Sequence, residues 1–344
     1  MDTGSSILVT GGAGFIGANL VDRALQTGQR VTILDDLSRQ GAEENLRWLR
    51  ERHGEAFRLM VRSVTDAEAC ERAIDDSDLV FHLAGQVAVT SSILNPRQDF
   101  EVNALGTLNV LEAIRKSSHQ PAMIYSSTNK VYGALEGLAT NELESRYILR
   151  DFPNGINEDH PADFHSPYGC SKGAADQYVH DYARIYGMRT IVFRQSCVYG
   201  PRQMGVEDQG WVAWFLIAAA TGKPITIYGN GKQVRDLLFI EDLLNGYDAA
   251  LRNIDQSAGE IYNLGGGASN AISVWCEFMP ILEQALDRVI PEPSFAPARA
   301  GDQAIFVADT SKFQHHTGWS PATSVSDGIA LLAEWVAENR QLFD

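Results

Sequence analysis

Long apolar runs, clustered cysteines and an excess of positive charge are all missing from this chain of 344 residues. No run approaches the roughly 20 apolar residues of a membrane span, and the longest, WVAWFLIAAA from Trp211, predicts a buried helix. The four cysteines lie far apart, without a Cys-x-x-Cys pair or a histidine at ligand spacing, so we expect reduced thiols and no metal site. A formal net charge of −16 disfavours nucleic acid, which needs a basic surface. No signal segment precedes the first predicted strand, so we expect a cytoplasmic protein without a membrane partner.

The stretch ILVTGGAGFIGANLVDRALQTGQRVTILDD predicts a strand, a glycine turn, a helix and a second strand. Its glycines, Gly11, Gly14 and Gly17, permit a tight turn and let the backbone approach a pyrophosphate at the positive end of the helix. Asp35 closes the second strand, where a carboxylate can accept hydrogen bonds from a ribose diol and would repel a 2′-phosphate. The pattern therefore predicts dinucleotide binding and favours NAD, while the nearby Arg39 leaves NADP open.

Further strand-like runs at 57–61, 79–83, 123–127 and 190–194 then alternate with helix-like runs along the chain. We predict an α/β fold with a doubly wound parallel sheet, in which ligands bind beyond the carboxyl ends of the strands. Polar clusters follow three of these strands, at residues 82–86, 126–130 and 194–203. The functional residues are expected there.

The segment HSPYGCSK places Tyr168 and Lys172 one helical turn apart, behind a proline suited to a first turn. A phenol is a poor base at neutral pH, but an adjacent ammonium stabilises its phenolate. With the hydroxyl of Thr128 from the strand-end cluster, the pair forms a candidate proton-handling set.

These features resemble the extended short-chain dehydrogenase/reductase family of nucleotide-sugar epimerases and dehydratases, over essentially the whole chain. The resemblance implies a Rossmann domain with a smaller substrate-binding lobe, NAD as hydride acceptor, and Tyr168 as the base, with Thr128 and Lys172 as its catalytic partners. It also implies a set of cofactor-binding residues: Gly11, Gly14, Phe15, Ile16, Gly17, Asp35, Ser38, Ser63, Val64, Leu83, Ala84, Gln86, Asn103, Tyr168 and Lys172.

A narrower resemblance concerns the motifs SSTNKVYG, PNGINE, DQGWVAWF and GNGKQVRD. They are similar to the CDP-paratose 2-epimerase subfamily, also called CDP-tyvelose 2-epimerase, which implies inversion at carbon 2 of a CDP-linked hexose or deoxyhexose. Ser63 and Gln195 depart from this pattern, at positions where an aspartate contacting adenine and a histidine are common. The departures leave the adenine contacts and the sugar open.

The loop after the fifth predicted strand separates related reactions. Dehydratases of similar sequence have Thr-Asp-Glu there, whereas this chain has Thr128, Asn129 and Lys130. Because neither Asn129 nor Lys130 is a carboxylic acid, elimination of water is disfavoured and reversible oxidation is favoured. A nucleotide-sugar 4-epimerase and a non-catalytic dinucleotide sensor remain as alternatives.

The resemblance places the Rossmann domain at 1–197 plus 236–271 and the nucleotide-sugar lobe at 198–235 plus 272–344. Arg235 and Arg299 match the arginines that pair with a diphosphate in this family. Asp208 lies either in a substrate-contacting loop or at a helix N-cap. The long segment 134–165 is expected to cover the site, and the family implies a homodimer through helices near 102–116 and 168–186. The full set of predicted substrate-binding residues is Gln86, Asn129, Arg146, Gln195, Gln209, Arg235 and Arg299.

Overall fold

The computed structural model, which describes residues 4–299 and 302–343, contains a parallel sheet of seven strands. The strands follow the order β12-β8-β5-β4-β1-β2-β3, so the chain starts in the interior and grows to both edges. This is the doubly wound arrangement that the alternating pattern predicts. The seven strands are β1 (Ser6–Thr10), β2 (Arg30–Asp35), β3 (Phe57–Val61), β4 (Leu79–His82), β5 (Ala122–Thr128), β8 (Thr190–Gln195) and β12 (Ile261–Leu264).

Helices connect these strands, and longer ones such as α1, α3 and α6 bury one face. A core cluster formed by apolar side chains of β1, β2, β4, β5 and the helices α3, α6 and α7 lies against the sheet. The connecting helices are α1 (Phe15–Gln26), α2 (Ala42–His53), α3 (Ala67–Ile74), α4 (Val89–Leu94), α5 (Pro96–Phe100), α6 (Gly106–Lys116), α7 (Ser166–Tyr186), α9 (Ile240–Arg252) and α10 (Ile254–Ser257).

One connection contains a π-helix, Glu101–Leu105, between α5 and α6. The sequence pattern predicts a regular helix over 102–116, and the structure corrects its first turn. A π-turn inserts one residue into the helical repeat, and such insertions are frequent at functional sites.

Shorter strands form three further small sheets. The pairs are β6 with β7 and β10 with β14, while β11 pairs with β9, β13 and β15. These strands are β6 (Thr140–Glu142), β7 (Tyr147–Leu149), β9 (Cys197–Tyr199), β10 (Thr226–Tyr228), β11 (Val234–Phe239), β13 (Ala271–Ser273), β14 (Ser294–Ala296) and β15 (Ile305–Phe306). The remaining helices are α8 (Trp211–Thr221), as predicted from its apolar run, α11 (Phe278–Leu286), α12 (Ser311–Thr317) and α13 (Val325–Glu338).

The chain divides into two units by its internal contacts. The first comprises Met1–Val131, Ser166–Arg194 and Tyr247–Tyr262, and the second Tyr132–His165, Gln195–Gly246 and Asn263–Asp344, each as far as it is described. The segment 132–165 thus belongs with the second unit, whereas the sequence-based division has it in the first. The segment pairs with residues near the end of the chain: the N–H of Ile156 donates to the carbonyl of Val307, and Gln303 Nε2 donates to the carbonyl of Gly133.

Within the described ranges no helix is both long and apolar enough to cross a membrane.

Candidate active site

The glycine turn between β1 and α1 leaves no room for side chains. Gly11 has φ +69°, and a Cβ there would lie 2.8 Å from the N atom of Ala84. A Cβ at Gly17 would lie 2.7 Å from the Cα of Gly12. Gly14 is the N-cap of α1 and, within residues 4–299 and 302–343, receives no side-chain cap. The N–H groups of the first turn of a helix have no carbonyl partner within that helix, so those of Phe15 and Ile16 can bind an anion at its positive end.

Asp35 lies at the carboxyl end of β2, beside this turn. Its Oδ2 accepts from the N–H of Ala13 at 2.9 Å and its Oδ1 from the N–H of Leu37 at 2.8 Å. Burial raises the pKa of Asp35, and the two backbone hydrogen bonds oppose that shift. The tight turn, the open helix end and this placed carboxylate fit the pyrophosphate and ribose of NAD.

The loops after β3 and β4 contain further predicted cofactor residues. Ser63 Oγ accepts from the N–H of Thr65 at 3.2 Å, and Val64 is buried. After β4, the N–H of Ala84 donates to Thr10 Oγ1 at 3.2 Å. Cofactor contacts by these residues, and by Leu83, Gln86 and Ser38, stay predictions.

Tyr168 lies in the first turn of α7, as the sequence predicts. Its N–H donates to Ser92 Oγ at 3.2 Å, which ties the start of α7 to α4. The ring is buried, with 7% of the residue exposed. Burial raises the pKa of the Tyr168 phenol, whereas a hydrogen bond with Thr128 lowers it. Thr128, at the end of β5, is therefore within reach of Tyr168.

Lys172 lies one turn further along α7. Its Nζ donates to the carbonyl of Ser126 at 2.6 Å and lies 4.3 Å from the centroid of the Tyr125 ring. Burial lowers the pKa of Lys172 to about 7, against the opposing charges of Asp176 and Asp99. The structure thus brings together Thr128, Tyr168 and Lys172, the three predicted catalytic residues.

Two buried carboxylates near Lys172 were not found from the sequence. Asp176 Oδ2 accepts from Ser127 Oγ at 2.7 Å, and both its oxygens accept from the guanidinium of Arg194. Asp99, in α5, accepts from Ser171 Oγ at 2.5 Å. Each carboxylate stands four residues from a predicted site residue, Lys172 or Asn103, and that helical spacing was the available signal.

The residues after β5 form a short 3₁₀-helix, Asn129–Tyr132. Thr128 Oγ1 donates to Asn129 Oδ1 at 3.4 Å and accepts from the N–H of Lys130 at 3.2 Å. Asn129 and Lys130, the two positions without a carboxylic acid, are therefore direct neighbours of the Thr128 hydroxyl.

Two predicted substrate residues of the second unit, Arg146 and Arg235, form ion pairs and hydrogen bonds with other groups of the same chain. The guanidinium of Arg146 forms an ion pair with Glu277 at 2.6 Å and donates to the carbonyl of Ala271. Arg235, on β11, donates to Asp302 Oδ1 at 2.7 Å and to the carbonyl of Gln303. Gln195 is buried at the end of β8. Direct substrate contact by Arg146, Arg235 and Gln195 stays a prediction.

Arg299 stacks on an aromatic ring. Its guanidinium carbon lies 3.8 Å from the ring centroid of Tyr228 and its Nη2 2.9 Å from Asp208 Oδ1. The interpretation of Asp208 as a helix N-cap is wrong, because α8 begins at Trp211 with Gly210 at the N-cap. Gln209 forms a tight backbone bridge with Val206. The ion pair instead joins the loop before α8 to Arg299.

No group of three or more His, Cys, Asp or Glu side chains that could hold a metal ion occurs in the described part of the chain.

Comparison with known proteins agrees with this geometry. The family model described as "NAD dependent epimerase/dehydratase family" matches residues 7–265. The CDP-paratose 2-epimerase of Salmonella typhi is 46% identical over 338 residues, which cover 96% of this chain and 99% of that protein. The structure of a UDP-glucose 4-epimerase from Thermotoga maritima with UDP-glucose has a TM-score of 0.81 at 31% identity, covering 97% of this chain and 99% of that one. The Thermus thermophilus UDP-glucose 4-epimerase, solved with NAD, has a TM-score of 0.79 at 31% identity, with the same coverages. The chain therefore belongs to the NAD dependent epimerase/dehydratase family, as an isomerase whose cofactor is NAD.

Proposed function

We propose that this enzyme inverts carbon 2 of a nucleotide-linked hexose or deoxyhexose, with CDP as the nucleotide. The proposal rests on the buried set of Tyr168, Lys172 and Thr128. In the sequence, Asn129 and Lys130 directly follow Thr128. The set can move a proton, and the next two residues provide no acid for elimination. The 46% identity to a CDP-paratose 2-epimerase supports carbon 2 and CDP.

In this reaction Tyr168, as the phenolate, takes the proton of the carbon-2 hydroxyl. Thr128 turns its hydroxyl from Asn129 Oδ1 toward the phenol oxygen, and Lys172 in its protonated form stabilises the phenolate charge. When bound, NAD supplies the reversible hydride acceptor that oxidation of carbon 2 requires. The resulting 2-keto sugar reorients, and Tyr168 returns its proton to the oxygen on carbon 2 once the opposite face has been reduced. No atom is gained or lost, and the protein needs no external acid or base.

Two arginines are proposed to bind the diphosphate. Arg299 is held flat on Tyr228, and Arg235 is held by Asp302, so both present a planar guanidinium in a fixed orientation. Such a group pairs with two phosphate oxygens at once. This explains how a chain of net charge −16 binds an anionic substrate.

The test is proton NMR of the purified protein with CDP-tyvelose, CDP-glucose and UDP-glucose in turn, without added NAD. We expect inversion at carbon 2 of a CDP sugar, followed through the ring coupling constants. Inversion at carbon 4 instead would establish the 4-epimerase alternative. No change, even with NAD supplied, would refute the proposal and favour a dinucleotide sensor.

Tyr168→Phe tests the role of the base. We expect it to abolish turnover, because the phenol oxygen is the group that takes and returns the proton. Tyr182→Phe is the matched control, since Tyr182 lies on the same helix and its hydroxyl donates to Glu112 at 2.8 Å. A folded Tyr168→Phe variant with the turnover of the control would refute the role.

We further propose that two copies pair through α6 and α7. Large apolar side chains at the surface of this part of the first unit are Phe100, Leu105, Tyr178, Ile185 and Tyr186. Light scattering should give a dimer for the wild type and a monomer for Ile185→Lys combined with Leu105→Lys.

We also place the protein in the cytoplasm, because Cys70, Cys170, Cys197 and Cys276 are all free thiols.

A further inference from the structure

The π-helix places the amide of Asn103 at a junction of three segments. Asn103 Oδ1 accepts from the N–H of Gln86 at 2.9 Å, and Nδ2 donates to the carbonyl of Gln86 at 3.1 Å. Nδ2 also lies 3.2 Å from Asp99 Oδ1 and 3.0 Å from Ser171 Oγ. The loop after β4, the helix α5 and the helix α7 are thereby joined through one side chain.

Asp99 is the only charged member of this junction, and it is 1% exposed. Its Oδ2 accepts a short hydrogen bond from Ser171 Oγ, at 2.5 Å. Ser171 directly precedes Lys172 and lies in the same turn as Tyr168. Ser171 Oγ is 3.2 Å from the carbonyl oxygen of Tyr168. Burial raises the pKa of Asp99, while the Ser171 hydrogen bond and the positive charge of Lys172 oppose the shift. A buried carboxylate costs several kcal/mol unless hydrogen bonds and an opposite charge compensate it, and Asp99 has both.

We propose that Asp99 is a positioning residue for the Tyr168–Lys172 pair: it fixes the first turn of α7 through Ser171 and Asn103, and its carboxylate is a counter-charge for the buried ammonium. This rests on the proposed function, because it concerns the base of that reaction. Asp99 touches neither reacting oxygen nor carbon in the proposal.

The charge of Asp99 acts on both members of the pair in the same direction. It raises the pKa of Lys172 and also that of Tyr168, because a neighbouring negative charge disfavours both loss of the ammonium and formation of the phenolate. By raising the pKa of the phenol, Asp99 makes the phenolate a stronger base for the carbon-2 proton. The other groups that act on the pair are Asp176 on α7, Thr128 and the Tyr125 ring on β5, Arg39 after β2, and His82 on β4.

Asp99→Asn removes the charge and keeps an acceptor for Ser171. We expect the midpoint of Tyr168 ionisation to fall by about one pH unit, the lower end of the shift that one nearby charge causes. The measurement is the tyrosinate absorbance of the NAD-loaded protein against pH, with the Tyr168→Phe form of each variant subtracted to isolate one phenol. Asp78→Asn is the control, since Asp78 precedes β4 at the opposite end of the sheet and accepts from the N–H of Ser6. It should leave the midpoint unchanged.

Ser171→Ala tests the positioning role separately, because the carboxylate charge remains. We expect kcat to fall about tenfold, the rate equivalent of one hydrogen bond to a charged group, with KM and the Tyr168 midpoint unchanged. A folded Asp99→Asn variant with the wild-type midpoint would overturn the proposal. If Asp99→Asn does not fold, a Ser171→Ala variant with wild-type kcat would overturn it instead.

The two proposals fail in different ways. The absorbance measurement needs no substrate, so a wrong reaction leaves the expected shift in place. Full activity of Tyr168→Phe, or no inversion at carbon 2, would refute the proposed function. An active wild type combined with an unshifted Asp99→Asn midpoint would refute only the role of Asp99.

Discussion

The buried ion pair between Asp176 and Arg194 should be one of the most sensitive points of the first unit. The Asp176 side chain is fully buried and the Arg194 side chain is 5% exposed. Asp176 joins α7 to β5 through Ser127 and to β8 through Arg194. Removing the carboxylate leaves a guanidinium that cannot lose its charge in a place that water does not reach.

Asp176→Ala should therefore lower the free energy of unfolding by about 3–5 kcal/mol, the usual cost of breaking a buried pair. Much of this cost is the unpaired charge and not the lost contact. The double variant Asp176→Leu with Arg194→Met should recover most of the stability, because it removes both charges together. Asp181→Ala is the matched control on the same helix. Its partner Arg184 is 3.7 Å away and both side chains are more than half exposed, so the loss should stay below about 1 kcal/mol.

The assay is reversible urea unfolding at pH 7 with NAD in excess, followed by circular dichroism. A loss below about 1 kcal/mol in Asp176→Ala would show that the unpaired Arg194 guanidinium has no large cost. A double variant as unstable as the sum of Asp176→Leu and Arg194→Met would likewise exclude an unpaired charge as the cause.

Four further outcomes are expected. Gly17→Ala should purify without NAD, because its Cβ would press on the backbone of the glycine turn; absorbance at 260 nm relative to 280 nm checks this. His82→Gln should reduce the loss of stability between pH 6.5 and 3, as followed by urea midpoints. Burial lowers the pKa of His82 to about 3, so in this window the unfolded chain binds more protons than the folded protein. The free energy of unfolding of the wild type therefore falls by up to about 1.4 kcal/mol per pH unit as the pH drops. Lys172→Met should abolish a rise in wild-type stability between pH 7 and 10, because the pKa of Lys172 is about 7 in the folded protein and near 10.5 in the unfolded chain, which binds the extra proton in that window. Arg299→Lys should raise KM for the nucleotide sugar about tenfold with little change in kcat, because a lysine cannot pair with two phosphate oxygens; an unchanged KM would contradict diphosphate binding by Arg299.

The sheet and the cofactor turn were predictable because they depend on local rules. The predicted strand at 57–61 has the observed bounds, and those at 79–83, 123–127 and 190–194 differ by one residue at one or both ends. The tight turn at Gly17 and the strand end at Asp35 could be located because a glycine turn and a strand-end acid each leave a mark in the sequence. Tyr168 and Lys172 were found for the same reason, since helical spacing places them on one face.

The supporting contacts were not predictable, because they join residues distant in sequence. Ser171 is 72 residues from Asp99, and Arg146 is 131 residues from Glu277. The chain position of Arg146 gave no sign of its pairing with Glu277, and its contact with the substrate stays a prediction. The π-helix also escaped prediction, because one inserted residue hardly changes the apolar pattern of 102–116.

The strand order has a consequence for how the chain is made. β5 is an interior strand of the finished sheet, but its outer neighbour β8 is separated from it by the roughly 60 residues between Thr128 and Thr190. At ribosomal speeds those residues take about 3–12 s to synthesise. During that interval the growing chain has an unpaired, apolar strand edge of the kind that recruits other chains. The nascent protein is therefore expected to be most prone to aggregate, and most dependent on chaperones, when synthesis has passed β5 and not yet completed β8.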